Sequence, residues 1–373
     1  MTNHRPTWVE IDLNALRHNL AAIKRRVGPQ IKIMGIVKAD AYGHGDLEVS
    51  RTLLNNGVES LGVAILEEGI CLRNKGIKEP LLVFSGIFED QLDAIIQYDL
   101  TPTVYDAKLA VRLSQKAAHN NKTVKIHIYV DTGMGSIGIK HNNAVDFVMQ
   151  IKGLKNLAIE GIYTHCACSD EKDSEYTLMQ IKRFRDVLKK LEAMKVFIPI
   201  KHMANSGAIL RYPETYFTMV RPGLSLYGLY PSEEVSREIG LKPVMSFKSR
   251  IVHIKNMEPG EFVGYGMSYK ITKPSRIATL PLGYDDGYNR LLSNQGLVII
   301  RGTKAPIIGR VCMDQCFADI THIKDASVGD EVVLYGTQGC ETISIESVAK
   351  QLNTIPYEIT CAIGKRVPRI YIN

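Results

Sequence analysis

Two hydrophobic periods alternate along most of the chain. Short apolar runs, of the kind a strand buried on both faces needs, occur at Ile31–Lys38, Leu61–Ile65, Leu81–Phe84, Thr103–Tyr105 and Val124–Val130. Leu157–Thr164, Ile198–Met203 and Phe217–Arg221 bring the set to eight. Between them lie stretches such as Asp106–His119 and Tyr176–Met194, whose apolar residues recur at helical spacing. Strands alternating with helices imply a parallel sheet, and eight such units predict an α/β fold, a (β/α)8 barrel.

The texture changes near Leu241. From Pro243 onward, β-branched runs are separated by Gly and Pro turns: Ser249–Ile254, Ile277–Leu280, Leu297–Ile300, Ala305–Ile308 and Glu331–Tyr335. Helical periodicity returns only at Ser344–Leu352. The expected organisation is therefore an N-terminal barrel over residues 1–242, followed by a smaller, mainly β C-terminal domain over 243–373. Residues 1–12 are expected to pack on the β domain.

Composition narrows the class. With 373 residues and 45% hydrophobic content, the chain can bury a sizeable core. No apolar run approaches the roughly 18 residues that a membrane-spanning helix needs. The opening residues lack a basic segment followed by an apolar one, so the expected location is cytoplasmic. Seven cysteines without a secretory context read as free thiols. The net charge of +7 comes from basic residues interspersed with acidic ones, which argues against a nucleic-acid stripe and fits an anionic small ligand.

Candidate chemistry begins where the first apolar run ends. Lys38 closes it and would sit at the carboxyl end of a barrel strand, where barrel active sites lie. Partial desolvation there would free its amine for Schiff-base chemistry. The string Lys38-Ala39-Asp40-Ala41-Tyr42-Gly43-His44 closely resembles the cofactor-lysine motif of the alanine racemases. Further matches follow in the family's order: Asp131-Thr132-Gly133-Met134-Gly135, Gly161-Ile162-Tyr163-Thr164-His165, Asn205-Ser206 and Val220-Arg221-Pro222-Gly223. In the C-terminal part, Gly264-Tyr265-Gly266, Pro281-Leu282-Gly283-Tyr284, Gly309-Arg310-Val311-Cys312-Met313-Asp314 and Tyr357-Glu358-Ile359 match as well.

The resemblance implies pyridoxal phosphate (PLP) as cofactor, held covalently by Lys38. Ser206, Gly223 and Leu224 would hold its phosphate together with the hydroxyls of Tyr42 and Tyr357; a hydroxyl and backbone N–H groups opening a helical stretch suit an anion. Arg221 would face the pyridine nitrogen. An arginine keeps its protons, so it can donate a hydrogen bond there but not a full proton. That limits electron withdrawal and favours racemisation over transamination. Inverting a stereocentre requires a base on each face, and the family's pair would be Lys38 and Tyr265. A free phenol ionises near 10, so the second base needs cationic or hydrogen-bonding help, for which His165 is the candidate. Met313, Asp314 and Tyr284 would lie on the substrate side. Because the family's tyrosine comes from the other subunit, a homodimer with shared sites is implied, its substrate a small amino acid and its product D-alanine for bacterial cell wall. No metal is expected: His165 and Cys166 alternate on a strand, and Cys166 and Cys168 have no second cluster to pair with.

Two positions depart from the family's pattern. The lysine that usually stands two residues before the Asp of Asp-Thr-Gly-Met-Gly is Tyr129, and the arginine that usually follows Met-Gly is Ser136. Their joint loss reads as a coordinated replacement that loosens carboxylate recognition, so weaker alanine binding or acceptance of serine is expected. A serine or broad-specificity racemase is the alternative, and a non-catalytic PLP-binding regulatory protein the second. A basic amino-acid decarboxylase on the same plan is disfavoured, because Cys312-Met313-Asp314 has the racemase spacing.

Overall fold

The computed structural model describes residues 5–172 and 175–373. The chain divides into two compact units, one comprising Leu16–Ala41 and Asp46–Leu241, the other Met1–Ala15, Tyr42–Gly45 and Lys242–Asn373.

The N-terminal strand is β1, Trp8–Asp12. The first of the two units is a closed barrel of eight parallel strands: β2 Lys32–Ile36, β3 Ser60–Val63, β4 Leu81–Val83, β5 Thr101–Val104, β6 Val124–Asp131, β8 Leu157–Tyr163, β9 Ile200–His202 and β10 Met219–Val220, with a short β7, Ile139–Lys140, beside β6. Pairing of β5 with β6 closes the ring. All eight apolar runs thus became barrel strands, and the expected fold class holds. Strand β5 begins two residues before the run read from the sequence, at Thr101, because Pro102 takes a place in the parallel register opposite Val83.

The helices cover the barrel by their apolar stripes. Ala107–His119 starts where the Asp106 carboxylate accepts a hydrogen bond from the Leu109 amide at 2.7 Å, a cap that satisfies one of the helix's orphan donors. Its Ala110, Leu113, Ser114 and Ala117 are buried, at the spacing of one helical face. Glu175–Ala193 buries Ile181, Phe184, Val187 and Leu191 in the same way.

The second unit is built on a ten-stranded sheet in which β1 lies between Met245–Arg250, antiparallel, and Arg369–Ile372, parallel. The run read as one strand over Ser249–Ile254 is two. Met245–Arg250 ends on Glu331–Gln338, the chain bends at Ile251 and Val252, and His253–Met257 pairs with Ser275–Leu280. The bend is where the backbone changes partners: the Ile251 amide bonds Asp330 O and the Val252 amide bonds Thr279 O, each at 3.0 Å. Only tertiary pairing distinguishes this from a continuous strand.

Candidate active site

Lys38 follows β2 at the carboxyl end of the barrel, on a left-handed turn. Ala39, Asp40, Ala41 and Tyr42 all have φ near +54°, a conformation costing roughly 1–2 kcal/mol per residue. Three contacts within the barrel unit hold it. Glu68 accepts from the Ala39 amide at 2.7 Å and, through its other oxygen, from the Ala64 amide at 2.7 Å, while Asp40 accepts from the Asp46 amide at 2.9 Å. Contrary to the expected desolvation, Lys38 is exposed within this structure. It lies two residues beyond the end of β2 at Ile36, directly before the left-handed turn that begins at Ala39.

Arg221, directly after β10, is buried among neutral acceptors. Its Nη1 donates to His202 Nδ1 at 2.9 Å; its Nη2 donates to Thr164 O at 2.9 Å, His165 Nδ1 at 3.0 Å and Met203 O at 3.2 Å. The guanidinium lies over the Tyr163 ring, 5.3 Å from its centroid. Among the described residues no carboxylate bonds it, and Nε makes none of these bonds. A buried cation without an anion is costly, so this donor set fits an acceptor-bearing, anionic group. His165 is pushed down to about 3 by burial, then by Arg221, so it is a neutral imidazole. Its help to a phenol is therefore confined to hydrogen bonding.

Ser206 opens the helix Ser206–Arg211 behind the cap Asn205, whose side chain accepts from the Ala208 amide at 3.0 Å. Ser206 Oγ accepts from the amides of Gly223 and Ser225, at 3.0 and 3.2 Å, which ties the Asn-Ser-Gly turn to the Pro-Gly-Leu turn. Ser206 and Leu224 are buried. Lys38, His165, Ser206, Arg221, Gly223 and Leu224 therefore all belong to the carboxyl end of one barrel. This donor set of amine, neutral imidazole, guanidinium and hydroxyl–amide turn fits PLP.

The remaining candidates lie in the other unit. The rings of Tyr42 and Tyr357 meet at a centroid distance of 5.7 Å. Tyr265, Tyr284, Met313 and Asp314 line one open cleft of about 880 Å³, together with Arg290 and Arg310. Tyr265 is 74% exposed. Asp314 is held by Arg366 at 2.8 Å, and Arg366 is in turn anchored on the buried Asp286 carboxylate at 2.8 Å. Sequence reading missed Arg290, Arg310 and Arg366, because an arginine's partners in an all-β unit are distant in sequence. It also passed over His127 and His202, although a histidine inside an apolar barrel strand is itself a signal.

At the two departing positions the side chains meet. The Tyr129 phenol is buried and stacked on Tyr163, centroids 4.7 Å apart and planes 5° from parallel. Burial pushes it up from its ordinary range, while a hydrogen bond with the Ser136 side chain pulls it back. Among the described residues, no group of three or more His, Cys, Asp or Glu side chains could hold a metal ion.

Models of the alanine racemase N-terminal and C-terminal domains match residues 11–231 and 244–371. The chain belongs to the alanine racemase family. An alanine racemase of Halothermothrix orenii is 49% identical over 369 residues, covering 99% of this chain and 97% of that protein. One of Methanococcus maripaludis is 45% identical over the full length of both. Among solved structures, alanine racemase of Clostridium difficile superposes with a TM-score of 0.95 at 40% identity, over 99% of this chain and 96% of that one. That of Bacillus anthracis with bound L-Ala-P superposes at 0.94 and 35% identity, over 100% and 96%. Members of this family racemise alanine with PLP, and this chain is such an enzyme.

Proposed function

We propose that the reaction on alanine runs between two bases, the Lys38 Nζ and the phenol of Tyr265 of the partner subunit, in a homodimer working in the cytoplasm. PLP, when bound, supplies a conjugated electron-withdrawing ring that lowers the cost of removing the Cα proton. Lys38 would hold the cofactor, and its Nζ would take or return that proton on one face. Tyr265 Oη would serve the other face, so that in each turnover one base takes the Cα proton of the substrate while the other gives a proton to form the product. Arg221 would donate a hydrogen bond toward the ring nitrogen without transferring its proton, which would restrain charge build-up and hold the outcome at racemisation. Ser206, Gly223 and Leu224, with the hydroxyls of Tyr42 and Tyr357, would contact and orient the phosphate. His165, neutral, orients by accepting from Arg221. Met313, Asp314 and Tyr284 surround the substrate. Supplying D-alanine for peptidoglycan is the role this activity would fill.

The observation that carries this reading is the presentation of Tyr265: a phenol largely exposed in a cleft lined by Met313, Asp314 and two arginines. Such a group is set out to serve a ligand outside its own unit. The test is subunit complementation. Lys38→Ala and Tyr265→Ala, each inactive alone, are dissociated and mixed. Recovery of activity on mixing supports a shared site; no recovery, with mixed dimers demonstrated by mass, would end it. Serine as the preferred substrate is the second reading, favoured by Tyr129 and Ser136.

A further inference from the structure

Below Arg221, away from the carboxyl end of the barrel, runs a buried file of polar side chains that the reaction above does not use. His202 Nε2 lies 2.9 Å from His127 Nδ1, and His127 Nε2 faces a Glu160 oxygen at 3.7 Å. Glu160 is also paired with Lys125 at 2.7 Å. It borders a small cavity at the amino end of the barrel with Lys32, Glu59, Ser60, Thr101 and His127.

The hydrogen-bond directions follow from one fixed point. Arg221 can only donate, so His202 Nδ1 must be an acceptor. Burial drives both imidazoles down in basicity, against an upward pull from Glu160 at His127 and with Arg221 adding to the fall at both, so both are neutral and each carries one N–H. His202 then carries its proton on Nε2 and donates to His127 Nδ1. That leaves the His127 proton on Nε2, pointed at Glu160, the anion at the end of the file. Two local features exist to build this arrangement. In β8, Ile159 pairs with Ile126 and Gly161 with His127, so Glu160 is an extra residue in a bulge; a bulge re-aims a side chain against strict alternation. A Cβ on Gly161 would lie 2.5 Å from the His127 ring, so only glycine leaves room for the imidazole.

We infer that Glu160 is a positioning residue for Arg221: facing His127 Nε2 as the anion at the far end of the file, it holds in place the two imidazoles whose tautomers Arg221 sets from the other end. The file presents His202 Nδ1 as a permanent acceptor, which holds the guanidinium plane in place for its other partner. The inference rests on the reading that Arg221 faces the cofactor ring.

The test uses holoenzyme labelled with nitrogen-15 in histidine, with resonances assigned from His127→Asn and His202→Asn. In the native protein both imidazoles are expected as single, neutral Nε2–H forms. Glu160→Leu should displace the nitrogen resonances of both imidazoles, His202 included, shift the cofactor absorption band and lower kcat several-fold with KM for alanine little changed. Glu160→Gln, which keeps an acceptor oxygen, should restore most of the native spectrum. Gly161→Ala displaces His127 with Glu160 intact and should reproduce the Glu160→Leu spectrum. A folded Glu160→Leu or Gly161→Ala holoenzyme with native His202 resonances overturns the proposal, as does an Nδ1–H form in the native protein. A displaced His202 resonance with an unmoved cofactor band would leave the relay standing and sink the placement of Arg221 against the ring.

Discussion

At the scale of single residues, the site is governed by where charge is left without its usual partner. Arg221 stays cationic in the barrel interior because four neutral acceptors surround it and burial alone only lowers its proton affinity. The same logic explains Tyr129. A lysine and an arginine at positions 129 and 136 would each bring a charge to be balanced; a tyrosine stacked on Tyr163 and bonded to a serine brings none. Carboxylate recognition then loses a cation. We expect Tyr129→Lys, Ser136→Arg to lower KM for alanine and to raise the preference for alanine over serine, read from steady-state kinetics on both substrates. Unchanged KM and specificity would show that the pair does not govern recognition. These two positions were legible in the sequence only as departures; that their side chains touch was not.

Elements decide how the reactive groups are aimed. Lys38 would continue an ordinary strand were it not for the left-handed turn that follows. That turn is sustained by Glu68 and Asp40 and ends at Gly43, where φ is +82° and a Cβ would lie 2.2 Å from Thr360 O. Gly43→Ala therefore combines backbone strain with a main-chain clash. We expect a loss of about 1–3 kcal/mol or more, measured as a lower urea midpoint, with cofactor retention reduced. A variant as stable as the native protein would mean that the turn can shift freely. The glycine was readable as part of a motif. The four consecutive positive φ values were not, because Ala and Tyr carry no local preference for them and Asp visits that region only as a single residue.

For the molecule as a whole, acid sensitivity should set in earlier than carboxylates alone would allow. His165 is pushed down to about 3, and His127 and His202 also fall below their ordinary value. In the unfolded chain these imidazoles take up protons near pH 6.5; folded, they do so only at lower pH. The unfolded state thus binds more protons in this window, so stability is complete above about pH 6.5 and is lost as pH falls. Each imidazole contributes a slope of about 1.4 kcal/mol per pH unit across its window. Glu160, held at about 2 chiefly by His127, adds its loss only below the ordinary carboxylate range. Urea unfolding at stepped pH tests this: stability that stays flat from pH 6.5 down to the carboxylate range would contradict it.

The sequence by itself determined the succession of elements, the fold class and the chemical types at the site. Apolar period, turn residues and contiguous motifs such as Lys38 to His44 are local properties, written within a few residues of one another. Tertiary structure alone decided which side chains meet: Arg221 with His202 and His165, Asp314 with Arg366, Tyr129 with Ser136. It also decided that Glu160 bulges inward and that Ser249–Ile254 is broken in two. Register and hydrogen-bond direction depend on partners from distant strands, and burial fixes which of their charged forms survives, so no local pattern encodes either.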